Sequence, residues 1–128
     1  MILGIGIDLE ETARIGDSIQ RFGRRFLERI FTEAEIAFCD GKANANERYA
    51  ARFAAKEAAF KALQASWELG ISWRDFEVVA QAGGAPRLDL HGAGAELAAK
   101  KGVAWIHVSF SHTKTHVTAV VFVEGERC

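Results

Sequence analysis

At 128 residues, 49% hydrophobic and 26% charged, the chain has the size and make-up of one globular domain with a core of its own. A net charge of −1 excludes a global electrostatic pull toward nucleic acid or an anionic membrane, so recognition of charge has to come from local patches. Cys39 and Cys128 make no disulfide framework and read as reduced thiols.

The N-terminal run Met1–Ile7 carries no basic segment and meets Asp8 at once, so it does not read as a signal peptide. No run is long enough to span a bilayer, and a cytoplasmic protein is expected. Ile2 to Leu9 reads as a strand, with Ile5, Ile7 and Leu9 on one face and Gly4, Gly6 and Asp8 on the other. Two glycines beside Asp8 leave room for another group to approach the backbone. Thr12 to Ile30 is helical in pattern: Ile15, Ile19, Phe22 and Phe26 form an apolar stripe, and Arg14, Arg21 and Arg25 gather opposite it. Gly23 is placed to split this stretch into two helices.

Thr32 and Glu35 form a capping box that opens another short helix. Asp40 to Asn46 reads as a loop, and a long helix follows from about Glu47 to Gln64. Phe76–Ala80 and Arg87–Leu90 are short strands around a Gly83–Gly84 turn, and His91 to Lys101 is a helix closed by Gly102. Ala104–Ser111 and Thr115–Glu124 form a hairpin joined through Ser111, His112, Thr113 and Lys114. Helices early and antiparallel strands late predict an α+β fold, with residues 1–128 as a single domain. Gly4-Ile5-Gly6-Ile7 lacks the third glycine and the βαβ pattern of a dinucleotide site, so that reading is rejected.

The long helix distributes its charges unusually. At about 100° per residue, Tyr49, Phe53 and Phe60 share a stripe. Arg48, Arg52 and Lys56 flank it on one side, and Glu57 and Lys61 on the other. The far face is all alanine: Ala50, Ala51, Ala54, Ala55, Ala58, Ala59 and Ala62. A solvated helix would carry its charges there, so this one is expected to be covered on both sides, with its charges in clefts that supply partners.

Four segments together resemble a known family. Arg52-Phe53-Ala54-Ala55-Lys56-Glu57-Ala58-Ala59-Phe60-Lys61 is similar to the signature helix of the 4'-phosphopantetheinyl transferases, in particular the small bacterial holo-[acyl-carrier-protein] synthase type. Gly6-Ile7-Asp8, Gly84-Ala85-Pro86 and His107-Val108-Ser109-Phe110-Ser111-His112 resemble further motifs of that family, in its order. The resemblance spans nearly the whole chain. It implies transfer of 4'-phosphopantetheine from coenzyme A to a serine of apo-acyl carrier protein.

The resemblance also distributes roles. Taken alone, Asp8 is equally a helix cap, and Glu57 equally half of an i, i+4 pair with Lys61. The family implies that both hold magnesium, which suits one or two carboxylates plus substrate phosphates. Glu10, facing the same way as Asp8, is a candidate third ligand. Lys61 is assigned to the leaving phosphate, and Glu57 or a metal-bound water to activation of the serine. Arg48, Arg52, Lys61, Arg87 and His112 are the cations for coenzyme A, with Gly84, Pro86 and Ser109 or Ser111 lining its site; guanidinium forks suit phosphate oxygens. His91, His107 and His116 read as structural. The family commonly has a Gly-Thr-Gly turn after the signature helix, where this chain has Gln64-Ala65-Ser66-Trp67, which puts phosphate contacts from that turn in doubt; Trp67 either lids the nucleotide or packs.

The Arg14, Arg21 and Arg25 face is expected to dock the acidic carrier. A homotrimer with shared active sites is implied by the resemblance. The sequence adds an apolar surplus, Val103, Ile106, Val108, Val117, Val120, Val121 and Val123, and the uncovered alanine back. The competing readings are a magnesium-dependent phosphohydrolase and a non-catalytic coenzyme A or nucleotide-binding module.

Overall fold

A computed structural model describes residues 1–127; Cys128 lies outside the described residues. Strand β1 (Ile2–Glu11) leads into α1 (Thr12–Phe22), α2 (Arg24–Ile30), α3 (Glu33–Cys39) and the long α4 (Ala45–Ala62). Two 3-10 turns precede the hairpin β2 (Phe76–Ala80) and β3 (Pro86–Leu90). Helix α5 (Gly92–Lys100) and the strands β4 (Val103–His112) and β5 (His116–Gly125) complete the chain. The architecture is α+β: a three-stranded antiparallel sheet in the order β1-β5-β4, and a separate two-stranded one.

Local signals decide most boundaries. Gly23 breaks α1 from α2 at a positive φ of 60°, and the Thr32–Glu35 capping box forms with both reciprocal bonds. Helix α4 begins two residues before the expected Glu47 and ends two before Gln64. At its C-terminal end the chain turns through Gln64 at φ 52°, the one non-glycine with positive φ among the described residues.

Helix α4 lies across the inner face of the large sheet. Gly4 and Gly6 sit against its backbone: a side-chain carbon at Gly6 would collide with the Ala58 carbonyl, and one at Gly4 with that of Ala62. Alanine on the helix and glycine on the strand are what let two backbones come this close. On the same inner face β5 buries Val117, Ala119, Val121 and Val123. The opposite flank of α4 is covered by α3, the turn before β2 and β2 itself, so the helix is enclosed on both sides as expected.

Two expectations are corrected. The alanine back needs no neighbouring subunit, because β1 of the same chain covers it. The apolar surplus of the sheet also lies elsewhere: Val117, Val121 and Val123 point inward under α4, while Ile5, Ile7 and Leu9 lie 58–64% exposed on the outer face. Their cross-strand partners Phe122 and Val120 continue that outer face. A third difference concerns α1: Phe22 is 56% exposed, outside the core that buries Ile15.

Candidate functional site

Two groups of the expected residues come together, one at each end of α4. The first is acidic. Asp8 and Glu10 lie on the inner face of β1, and Lys61 reaches over from α4, its Nζ donating to the Ile7 carbonyl at 3.0 Å and to Asp8 Oδ1 at 3.3 Å. Asp8 Oδ2 is buried without a hydrogen-bond partner. Burial, together with the Asp8 carboxyl and the Glu57 charge, pushes Glu10 up to about 8. Glu57 is raised too, by burial first and by the Asp8 charge second, while Lys61 pulls it back. Carboxylates near enough to raise one another, with one buried oxygen left unmatched, make a place that favours a cation. Among the described residues no group of three His, Cys, Asp or Glu encloses an ion unaided. Asp8 and Glu57 would supply the one or two carboxylates that magnesium takes, the rest of its octahedron being left to phosphate and water.

The second group is cationic. A cavity of about 290 Å³ is lined by Arg48, Arg52, Gly84, Pro86, Ser111 and His112, with Phe38, Phe110 and Val117 as apolar walls. Arg52 is 5% exposed, its guanidinium 4.4 Å from the Phe38 ring centre, and its Nε has no partner. Burial lowers its pKa from the ordinary arginine value. A buried guanidinium with an unused donor, facing a cavity, is ready for an anion. Arg48 also lies over Phe38 and is steadied by Asn44 at 2.8 Å. His112 Nδ1 rests 3.3 Å from Glu47.

Arg87 and Ser109 are placed outside this cavity. The Arg87 guanidinium turns back on its own strand and forms a fork with Asp89 at 2.7 and 3.0 Å. Ser109 is exposed on the outer face of β4, whereas Ser111, two residues on, lines the cavity at the end of the sheet. Arg14, Arg21 and Arg25 are all exposed, with Arg21 over the Phe22 ring at 5.4 Å. Trp67 packs one face on Phe60, centroids 4.3 Å apart, and its edge on Trp73. The left-handed turn at Gln64 forms without glycine, the Ala65 amide donating to the Phe60 carbonyl at 3.0 Å.

Sequence reasoning missed Lys56. It sits on the same flank as Arg48 and Arg52, yet it is wholly buried and bonded to Glu35 at 2.7 Å. The buried capping box was the available signal, since a Glu35 carboxylate facing inward requires a cation.

Comparison with known proteins identifies the family. Residues 4–121 match the family model of the 4'-phosphopantetheinyl transferase superfamily. The chain is similar to the holo-[acyl-carrier-protein] synthase of Koribacter versatilis, 53% identical over 97% of this chain and 99% of that protein. Its fold is similar to the crystal structure of the Neisseria meningitidis holo-[acyl-carrier-protein] synthase, with a TM-score of 0.88 at 31% identity, covering 97% of this chain and 99% of the other. It is also similar to the Helicobacter pylori synthase solved with coenzyme A, with a TM-score of 0.82 at 33% identity, covering 94% of this chain and 99% of the other. Sequence and fold thus agree along nearly the whole length, and the chain belongs to the 4'-phosphopantetheinyl transferase superfamily.

Proposed function

We propose that this protein transfers 4'-phosphopantetheine from coenzyme A to a serine of apo-acyl carrier protein, releasing adenosine 3',5'-bisphosphate. The observation that carries the reading is the pairing, at the two ends of α4, of the Asp8–Glu57–Lys61 group with the Arg48–Arg52–His112 cavity, in a chain that aligns end to end with holo-[acyl-carrier-protein] synthases. One site suits a pyrophosphate with its cation, and the other suits a further phosphate.

Asp8 and Glu57 are the residues that would hold magnesium, which when bound neutralises charge on the pyrophosphate oxygens. Lys61, half exposed with its ammonium already fixed by the Ile7 carbonyl, binds the bridging phosphate and holds a proton for the departing oxygen. The carrier serine oxygen bonds to the β-phosphorus as the phosphorus–oxygen bond to the bisphosphate breaks, and the serine proton passes to a base, for which Glu57, raised by its surroundings, is suited. Arg48, Arg52 and His112 bind the nucleotide phosphate, with Gly84, Pro86 and Ser111 shaping the wall. Arg87 and Ser109 serve only ligand atoms outside the cavity.

The assembly is proposed to be a homotrimer with shared sites. What supports it is the outer sheet face, where Ile5, Ile7, Leu9 and Trp105 are each more than half exposed in the single chain. Arg14, Arg21 and Arg25 are proposed to dock the acidic carrier beside the exposed Phe22. Among the described residues no helix is long and apolar enough to cross a membrane, and a cytoplasmic location is proposed.

The deciding experiment incubates the protein with coenzyme A, magnesium and apo-acyl carrier protein and weighs the carrier intact. A pantetheine arm added to the serine is expected. Bisphosphate release without a gain in carrier mass would mean a phosphohydrolase, and binding with neither would mean a non-catalytic module.

A further inference from the structure

Glu57 has to be aimed at Asp8, yet the contact that brings its helix to β1 is smooth. Glycine against alanine permits close approach but presents no knob that resists sliding or rotation. The opposite flank of α4 is different. Lys56, the residue immediately before Glu57, is entirely buried, and all three of its ammonium protons are used. Nζ donates to Phe76 O at 2.6 Å, to Glu35 Oε1 at 2.7 Å and to Trp73 O at 3.2 Å. The Phe31 ring closes the site, its centroid 5.6 Å away.

Glu35 is anchored just as fully. Its Oε1 also accepts from the Thr32 amide at 2.9 Å, and its Oε2 accepts from the Val78 amide at 2.9 Å. One ion pair therefore ties α4 to the start of α3, the turn before β2 and strand β2 itself. Such a pair contributes little net stability over an apolar filling of the same volume. What it supplies is direction: five short hydrogen bonds specify both the rotation and the axial position of α4 at the residue next to Glu57. Tyr49, two turns earlier, adds a second fixed point through its hydroxyl bond to Asp40 at 2.7 Å, but it is remote from the acidic group.

We propose that the buried Lys56–Glu35 pair is a positioning device for the acidic site: it holds α4 so that Glu57 converges with Asp8 on one cation. Lys56 touches neither substrate nor metal, being sealed from solvent. It acts through its neighbour, as the outer partners of metal ligands do.

This inference rests on the functional reading above, and the experiment separates the two. Glu35→Gln/Lys56→Met removes both charges together, so no buried charge is left uncompensated, although the Phe76 and Trp73 carbonyls lose their donor. The expected result is a protein that still folds, with a lowered melting temperature, and whose folded fraction needs about ten-fold more magnesium for half-maximal transfer. It should also lose the magnesium-induced rise in melting temperature at concentrations that stabilise wild type. A purely structural role would move the melting temperature and leave the magnesium requirement of the folded fraction unchanged. A folded double variant with wild-type magnesium dependence overturns the proposal. If the double variant fails to fold, Lys56→Arg, which keeps the buried charge opposite Glu35 but cannot reproduce its three hydrogen bonds, decides by the magnesium requirement of the folded fraction, with a smaller shift in the same direction expected and no shift overturning it. Wild-type protein that shows neither transfer nor magnesium stabilisation would instead sink the functional reading itself.

Discussion

Gly6 packs directly against the main chain of Ala58: a side-chain carbon added to the glycine would collide with the alanine carbonyl and lie 2.9 Å from the Ala62 amide nitrogen. Neither backbone can retreat, since β1 is laddered to β5 through Gly6 and Val121, and α4 is held from behind by Lys56.

Gly6→Ala is therefore expected to cost more than about 3 kcal/mol, at the severe end of overpacking. Denaturant melts should show the loss. Activity should fall with it, because the same displacement carries Asp8 away from Glu57.

Gln64 offers the opposite case. It holds a left-handed conformation with φ 52° that costs an ordinary residue about 1 kcal/mol or more. Gln64→Gly is expected to stabilise the protein by about 1 kcal/mol, a rise of about 4 °C in melting temperature for a domain of this size. Calorimetry of the two proteins side by side checks it.

Magnesium should stabilise the fold by neutralising the Asp8, Glu10 and Glu57 group, by roughly 1.4 kcal/mol at ten times its dissociation constant. Asp8→Asn and Glu57→Gln are each expected to abolish both that shift and transfer. The pH dependence has a definite sign. Glu10 is pushed from its ordinary 4.5 to about 8 in the folded protein, so between those values the folded state holds a proton the unfolded state has lost. Metal-free stability should then fall as pH rises through that window. Stabilisation by magnesium should grow across the same window as the proton gives way. Glu10→Gln should flatten the metal-free slope; thermal melts at several pH values, with and without magnesium, provide the comparison.

Reversal of charge at Arg14 and Arg21 is expected to raise the KM for carrier severalfold and to flatten its salt dependence, with the KM for coenzyme A hardly moved. Both side chains are exposed and neither lines the cation cavity. An unchanged carrier KM would reduce the arginine face to a solvated surface.

Ile7, 64% exposed midway along the edge strand β1, is the residue on which assembly is expected to turn. Light scattering should give a three-chain mass for wild type and a single-chain mass for Ile7→Glu, since a carboxylate buried at an apolar interface finds no partner. Co-refolding two inactive variants, Glu57→Gln and the double variant His112→Ala/Arg48→Ala, should restore part of the activity if each site draws on two subunits. Verified mixed oligomers without recovery would place each site within one chain.

The sequence by itself determined the elements and most of their ends. Period-two alternation in β1 put Gly4, Gly6 and Asp8 together, Thr32 and Glu35 announced a helix start, Gly23 a break, and the spacing along α4 divided its cations from Glu57 and Lys61. These are angular relations within one element, and they follow from 100° per residue in a helix and 180° in a strand. Which face of an element meets which neighbour was decided only by tertiary structure. An isoleucine-rich face of β1 would ordinarily point inward, but α4 offers a back of alanines against which only glycine fits, so Ile5 and Ile7 turn outward. Two lysines five residues apart likewise diverge, Lys56 sealed on Glu35 and Lys61 half open beside Asp8. Arg87 finds Asp89 on its own strand, and Ser111 reaches the cavity where Ser109 does not, because the sheet ends there. Each of these outcomes depends on elements far apart along the chain, whose relative placement is set by backbone contact and buried hydrogen bonds that no local period encodes.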